Sequence, residues 1–401
     1  MKLFPLPINN LKTAGRLMDA IRTDAQGKKI MAPKMLFRAY KIEGISSYAA
    51  NIIKQHLLSL GSDAALSRDC LVKKMNTDII IFGTVSQLAR FIEKIRCQPF
   101  GLKEVACTLD MFLKTDDEKS VFYARDKKLL IGDPALCGIL NVTPDSFSGD
   151  GLLGGDRLNL EKNTLTKVAG MVKNGTKIID IGGESTRPFS KPVSEREEIA
   201  RVIPLLRVIR RKFPKLIISI DTYKYKVAKA AVDEGADIIN DITALRHSPR
   251  IAGLIKRYRL GCILMHMKGT PRSMQKKPRY GDVVDEIKSF LKNRIDFCRE
   301  HGINKNQLMV DPGVGFGKRV RDNVEIISRL WEFKTLGVPI FLGVSRKSFI
   351  GGVLDAGVDE RLSGTLASCL VSVINGADVL RVHDVREVNH AVRMAKTLMN
   401  Q

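Results

Sequence analysis

The sequence predicts an α/β protein, a (β/α)8 TIM barrel preceded by a small α+β domain, and three features of the chain lead there. From about residue 136 onward, short β-branched runs alternate with longer amphipathic stretches such as SEREEIARVIPLLRVIRRKF, in a strand-then-helix order. The runs CGILNV, KIIDIG, LIISID, ADIIND, GCILMH, QLMVDP, PIFLGV and ADVLRV number eight and are continuously apolar rather than alternating. Parallel strands buried on both faces read this way, and eight βα units in about 265 residues have the size and rhythm of a TIM barrel. A doubly wound open sheet is the competing architecture, but its Gly-rich GxGxxG turn after the first strand is missing. Polar residues also recur at or just past the strand ends: Asn141, Asp180, Asp221, Asn240, His266, Asp311, Ser345 and Arg381. A barrel gathers these ends on the face where TIM-barrel active sites sit. One such residue is explained well enough as a helix N-cap; eight in succession point to a ligand.

Residues 1–132 read as the small α+β domain, with helix-like SSYAANIIKQHLLSLG and VSQLARFIEKIR around strand-like TDIIIFGT. The charged stretch TDDEKSVFYARDKKLLIGDP, ending in Gly-Asp-Pro, is the expected junction, and 133–401 is assigned to the barrel. The first domain carries no catalytic motif. Its only histidine, His56 in IIKQHLLSL, reads as a helix-surface or packing residue.

A chain of 401 residues with 44% hydrophobic and 27% charged residues has ordinary globular composition. No stretch approaches the roughly 20 apolar residues needed to cross a bilayer, and the N-terminus lacks an apolar run followed by a small-residue cleavage signal. The cytoplasm is therefore the expected compartment. The closest pair among the seven cysteines, Cys97 and Cys107, is too far apart for a CxxC motif, so reduced, buried thiols are expected. With 66 Lys and Arg against 43 Asp and Glu, the formal charge of +23 raises nucleic acid as a partner. The basic residues are scattered through helices without aromatic interleaving or runs of five like charges, which weighs against it. Anionic small-molecule substrates explain the charge more economically.

On chemistry alone, Asp221, Asn240 and Asp311 place a carboxylate, an amide and a second carboxylate at three strand tips, a set suited to a flat heterocycle with several N–H donors and acceptors. Two segments are more specific still. GILNVTPDSFS at 138–148 and DIGGESTRP at 180–188 resemble the two signature segments of the dihydropteroate synthase family. SIDTYK, ADIINDI, MHMKGTP, DPGVGFGK, GVSRKSFIG and RVHDV follow in that family's order, and the resemblance spans roughly residues 136 to 400.

The resemblance implies a transferase of folate biosynthesis that condenses 6-hydroxymethyl-7,8-dihydropterin diphosphate with 4-aminobenzoate, giving 7,8-dihydropteroate and diphosphate. It also implies the site. Asp311 binds the amino-pyrimidine edge, Asp221 and Asn240 complete the ring contacts, Lys347 donates to the pterin carbonyl and ring nitrogen, and Arg381 stacks on the ring face. Asn141 holds a Mg²⁺ that bridges the diphosphate oxygens, with His383 beside Arg381 in the anion site. Thr186, Arg187, Phe147 and Phe316 build the aminobenzoate pocket, and Ser348 holds its carboxylate. A homodimer is implied as well. Read without the resemblance, Lys347 is a solvated helix-start lysine and His383 a structural histidine. Two departures from the family pattern stand out: DSFSGDG in place of DSFSDGG displaces Asp150 by one position, and Phe189 replaces the glycine of STRPG.

The chemistry expected is dissociative: diphosphate leaves the pterin methylene, the cation delocalises into the ring, and the aromatic amine attacks it. No protein nucleophile is required, in keeping with the lack of a Ser-His-Asp or Cys-His signature. Two other functions compete with this one. The pterin-binding barrel of corrinoid-dependent methyltransferases shares the Asp, Asn, Asp pattern but needs neither the SRKSFIG lysine nor an RVHDV diphosphate site. A polyanion-binding protein on an inactive barrel is the alternative of a different class.

Overall fold

An apolar strand with no polar face must be covered on both sides, by helices outside and by other strands' side chains inside. The structure is a computed structural model that describes residues 1–114, 120–142, 157–185, 192–270, 273–274 and 278–399. It divides into two compact units, Met1–Glu118 and Lys119–Met399.

In the first unit two short helices, α1 (Leu11–Ala20) and α2 (Ala25–Met31), precede β1 (Phe37–Ser46), α3 (Ser47–Leu58), β2 (Asp63–Ala65), β3 (Asn76–Thr84), α4 (Val85–Ile95) and α5 (Leu102–Lys114). The strands form an antiparallel sheet in the order β1-β3-β2. Alternation along β3 buries Thr77, Ile79 and Ile81, and the two isoleucines pack with Ile53, Leu57, Leu88 and Phe91 of the helices. Caps fix where the helices begin: the Ser46 side chain accepts from Ala49 N, and Thr84 and Gln87 form a capping box. His56 lies half-buried on α3.

The second unit opens with a hairpin, β4 (Ser120–Ala124) and β5 (Lys127–Ile131), and continues into eight parallel strands. These are β6 (Ala135–Asn141), β7 (Thr176–Gly182), β8 (Ile217–Asp221), β9 (Ile238–Asp241), β10 (Gly261–Met265), β11 (Leu308–Asp311), β12 (Phe341–Leu342) and β13 (Val379–Val382). Their order is β11-β10-β9-β8-β7-β6-β13-β12, and a parallel bridge between Val310 and Ile340 joins the two ends into a barrel. All eight strands anticipated from the sequence form. Helices α6 (Arg157–Lys173), α7 (Glu195–Lys212), α8 (Tyr225–Asp233), α9 (Ile251–Tyr258), α10 (Val283–Glu300), α11 (Val320–Ser328), α12 (Ser348–Leu354), α13 (Leu362–Ile374) and α14 (Val385–Met399) make the outer layer.

Successive strand residues point to opposite faces, and this sorts the apolar runs into two sets. Ile179, Ile181, Ile218, Ile220, Ile239, Leu264, Val310 and Leu380 pack outward against the helices. Cys137, Ile178, Ile217, Ile238, Ile263, Met309, Phe341 and Val379 form a separate interior cluster. Two residues further along their strands, on the same inward face, stand Asp180, Asn240, Asp311 and Arg381, and Asp221 lies four beyond Ile217. The barrel is thus apolar at its floor and polar at its C-terminal mouth.

The hairpin closes the floor. Phe122, Ala124, Leu129 and Ile131 belong to the interior cluster, and Phe122 comes so close that a Cβ on Gly261 would stand 2.5 Å from its Cζ. Lys127 Nζ lies 2.6 Å from Asp237 Oδ1, and Arg125 N donates to Arg259 O at 2.7 Å. The boundary expected at residue 132 leaves this hairpin in the first domain, whereas its side chains complete the barrel core of the second unit. Among the described residues no helix is long and apolar enough to cross a membrane.

Because Phe122 is fully buried in the floor, Phe122→Ala is expected to cost the barrel about 3–5 kcal/mol in urea unfolding. A loss under about 1 kcal/mol would show that the hairpin is not part of the barrel core.

Candidate active site

The mouth is organised around one guanidinium. Arg381, at the end of β13, donates from Nε to Asp180 Oδ2 at 2.6 Å and from Nη2 to Asp221 Oδ2 at 3.1 Å. Asn240 Nδ2 donates to the same Asp180 oxygen at 3.1 Å, so four strands meet in one polar cluster. Asp180 is fully buried, and its Oδ1 has no hydrogen-bond partner among the described residues. Burial, reinforced by Asp180 and only partly offset by Arg381, pushes the Asp221 carboxyl up to about 7. Burial opposes the charge on Arg381, but Asp180 and Asp221 outweigh it and raise its pKa.

The facing wall is built from the ends of β11 and β12. Asp311 is buried, and its Oδ1 accepts from Gly313 N at 2.7 Å. Burial raises its pKa, with Lys347 as the main opposing influence. Lys347 Nζ donates to Val314 O and lies 4.8 Å over the Phe316 ring. Its ammonium is pushed down to about 8 by burial, helped by Arg381 and resisted by Asp311. This lysine therefore belongs to the site and is not a solvated helix-start residue. Glycine is required at three points in the DPGVGFGK loop, one of them Gly317 (φ +67°), whose Cβ would stand 2.6 Å from Lys268 O. Gly313 (φ +70°) would place a Cβ 1.9 Å from His266 O, and Gly315 (φ +84°) would place one 3.1 Å from Lys347 Cδ. The two walls meet at Gly343, where a Cβ would stand 3.7 Å from both Lys347 Nζ and Arg381 Cβ.

Next to β13, His383 N donates to Ser345 Oγ at 3.2 Å, and that hydroxyl lies 3.1 Å from His383 Nδ1. Burial, then the charges of Arg381 and Arg346, hold the imidazole down at about 4, so it is neutral at physiological pH. The neutral imidazole carries one N–H, either on Nδ1 toward Ser345 Oγ or on Nε2 with Ser345 donating to Nδ1. Asn141 ends β6, half-buried, directly across from Gly182 on β7. Nothing among the described residues hydrogen-bonds its carboxamide. Ser348 is exposed in the first turn of α12. Phe147, Thr186 and Arg187, with the departures at Asp150 and Phe189, lie outside the described residues.

Two participants escape a reading of the sequence. Asp180 is recognisable as a strand-end polar residue but not as the anchor of Arg381 and Asn240. Lys318, the last residue of DPGVGFGK, is buried, with Nζ 3.0 Å from both His266 Nδ1 and Phe316 O. Burial depresses its pKa strongly, and burial together with Lys318 pushes His266 down to about 2. His266 thus braces the DPGVGFGK loop, and the Phe316 that it carries, through Lys318.

A largely buried ring of three acids, an amide, a lysine and an arginine at the C-terminal mouth defines a TIM-barrel enzyme for a flat, polar heterocycle. Comparison with known proteins agrees. A family model described as "Pterin binding enzyme" matches residues 137–383. A dihydropteroate synthase of Haemophilus influenzae is 43% identical over 278 residues, 69% of this chain and 98% of its own length. The structure of Xanthomonas albilineans dihydropteroate synthase with 4-aminobenzoic acid superposes with a TM-score of 0.65 at 36% identity, covering 70% of this chain and 99% of that one. A probable bifunctional folylpolyglutamate synthase/dihydropteroate synthase of Halobacterium salinarum is 34% identical over 97% of this chain and 46% of its own length, so its similarity extends into the first unit. The chain belongs to the pterin-binding enzyme family and, within it, to the dihydropteroate synthases.

The position of Asp221 has a measurable consequence. A folded pKa of about 7 lies above the unfolded carboxylate value near 4. Across that window the folded chain keeps a proton that the unfolded chain has released, so stability falls as pH rises. Asp221→Asn is expected to flatten the fall in melting temperature between about pH 5 and about pH 7.5. An unaltered slope would show that Arg381 keeps Asp221 ionised throughout.

Proposed function

We propose that the strand-tip ring binds a dihydropterin diphosphate and presents its methylene carbon to 4-aminobenzoate. The activity is that of a dihydropteroate synthase, a transferase of folate biosynthesis that yields 7,8-dihydropteroate and diphosphate. The observation that carries this reading is the pairing of two unlike walls, Asp311 with Lys347 on one side and Arg381 with its two carboxylates on the other.

Asp311 has one oxygen held by Gly313 N and the other available to the amino-pyrimidine edge. Lys347 donates to the pterin carbonyl and ring nitrogen, while Asn240 and Asp221 complete the ring contacts. Arg381, fixed at two points, offers its guanidinium plane to the ring face. When the carbon–oxygen bond to diphosphate breaks, the methylene cation delocalises into the ring, and the aromatic amine forms the new carbon–nitrogen bond and loses a proton. The protein supplies position and charge compensation rather than a nucleophile. Neutral His383, in its Nε2–H tautomer, donates to the leaving oxygens.

Asn141 fits Mg²⁺. Its carboxamide offers a hard oxygen at the end of β6. A site completed by water and substrate phosphate suits an ion that takes few protein ligands. When bound, Mg²⁺ supplies neutralisation of the diphosphate. Thr186, Arg187, Phe147, Phe316 and Ser348 take the 4-aminobenzoate. A homodimer in the cytoplasm is the proposed state of the chain, supported by the exposed Val320 and Val324 of α11, Val353 and Leu354 of α12, and Val371 and Ile374 of α13.

Incubation with dihydropterin diphosphate, 4-aminobenzoate and Mg²⁺ is expected to release diphosphate and form dihydropteroate; absence of both products refutes the reading. In calorimetry, Asp311→Asn should weaken binding of a pterin analogue by about 2–3 kcal/mol, because an acceptor from the ring is replaced by a mismatched donor. Equal affinity would remove Asp311 from the ring site.

Chelation of Mg²⁺ is expected to abolish turnover, and Asn141→Ala to raise the Mg²⁺ concentration needed for half-maximal diphosphate binding by about tenfold. An unchanged Mg²⁺ requirement in Asn141→Ala would exclude Asn141 as the ligand.

A further inference from the structure

A second polar cluster lies beside the ring site, buried and uninvolved in the chemistry above. Lys224, three residues beyond Asp221, has Nζ 2.6 Å from Glu184 Oε2, 2.6 Å from Glu198 Oε2 and 2.6 Å from Val193 O. An ammonium has three donors, and all three are used. Glu184 Oε1 accepts from Val193 N and from Tyr223 Oη, each at 3.3 Å. The side chains of Lys224, Glu184 and Glu198 are 9%, 10% and 1% exposed. Burial works against the charge on Lys224, but its two carboxylate partners outweigh it and raise its pKa. Burial raises the Glu198 carboxyl despite the lysine.

The arrangement ties together two chain positions nine residues apart in number, 184 and 193, where β7 leaves the barrel and where the approach to α7 begins. Val193 is held at both its N–H and its C=O, by Glu184 and by Lys224. The first of these positions is further fixed from α7: Arg201 Nη1 donates to Gly183 O at 2.8 Å, and a Cβ on Gly183 would stand 2.7 Å from Val202 Cγ2. Lys224 in turn is attached to the end of β8, through Lys224 N and Thr222 Oγ1 at 3.3 Å.

We infer that Lys224 and Glu184 form a positioning clasp that sets the two ends of the β7–α7 connection against the strand end bearing Asp221, and thereby sets the 4-aminobenzoate site relative to the pterin. The inference rests on the proposed function, which places Thr186 and Arg187 of that connection at the aminobenzoate. Neither Lys224 nor Glu184 touches substrate. Glu198 serves a different purpose: it ties α7 to the same lysine, hydrogen-bonds neither Glu184 nor Val193, and packs its stem against Gly183, a contact that Glu198→Gln keeps.

The test uses the full chain with each substrate varied at saturating levels of the other, alongside thermal unfolding. Glu184→Gln and Lys224→Met are expected to raise the KM for 4-aminobenzoate by about tenfold or more, with the KM for dihydropterin diphosphate changed less than about twofold. Lys224→Arg should recover part of the loss, and Glu198→Gln should lower the melting temperature while leaving the ratio of the two KM values unaltered. Where Lys224→Met does not fold, Glu184→Gln carries the test, since it leaves the Lys224–Glu198 pair in place. Parallel rises in both KM values, an equal effect from Glu198→Gln, or a folded Glu184→Gln with unchanged KM overturns the clasp. A silent unaltered chain overturns the synthase reading with it, so the two failures are told apart.

Discussion

The site depends on a carboxylate that cannot stand alone. Asp180 is wholly inside the barrel, where an unpaired charge would be prohibitively costly. Arg381 and Asn240 converge on one of its oxygens, and the guanidinium then reaches Asp221 as well. Much of the site geometry follows. Arg381 is held at two points, and Asn240 has a defined amide orientation because its Nδ2 must donate. The same cluster explains why Asp221 holds its proton more tightly than an ordinary carboxyl while Arg381 holds its own more tightly still. Removing any one member leaves the others buried without compensation, so the ring acts as a unit rather than as a sum of contacts.

Much of this was legible in the sequence, because strand identity and strand-end polarity are local signals. The eight apolar runs become eight strands, and Asn141, Asp180, Asp221, Asn240, Asp311 and Arg381 do stand at their ends. Continuous apolarity concealed the two-residue alternation inside each run: Ile178 and Asp180 share one face, while Ile179 and Ile181 share the other. The hairpin was harder to see. Its exposed Tyr123 and Leu130 and its lysines make 120–131 resemble a charged linker, while the inward residues Phe122, Ala124, Leu129 and Ile131 alternate over only five residues per strand. Lys224 gave no signal at all, because its carboxylates lie 26 and 40 residues away and only the closed barrel brings them together. Lys318 is similar, since a lysine after a glycine-rich loop reads as solvated until the fold buries it against His266.

Two structural layers therefore separate by function. The inward residues near the strand starts are apolar and close the floor, where Asp237 ties the hairpin to α7 through Lys127 and Arg210. Those at the strand ends are polar and anchored in pairs. Asp180, Asp221, Asn240, Asp311 and Arg381 of the ring stand on strands, so loops can vary over such a mouth without disturbing them. The proposed Lys224 clasp would index the connection after β7 to the end of β8.

Charge balance gives the last constraint. The ring holds three carboxyl groups, Asp180, Asp221 and Asp311, the last two raised by burial, against two basic groups, Arg381 and a Lys347 pushed down by burial. Lys318, the third amine nearby, is driven toward its neutral form by burial and spends its hydrogen bonds on His266 and Phe316 O. His383 is likewise uncharged at physiological pH. Such a mouth attracts a heterocycle rich in N–H donors but gives a diphosphate little net attraction. Asn141 stands at the end of β6, one strand away from Arg381 across the β6–β13 pairing. A cation held there, as proposed, would supply the countercharge that a diphosphate needs, and a neutral amide leaves that charge balance to the ion.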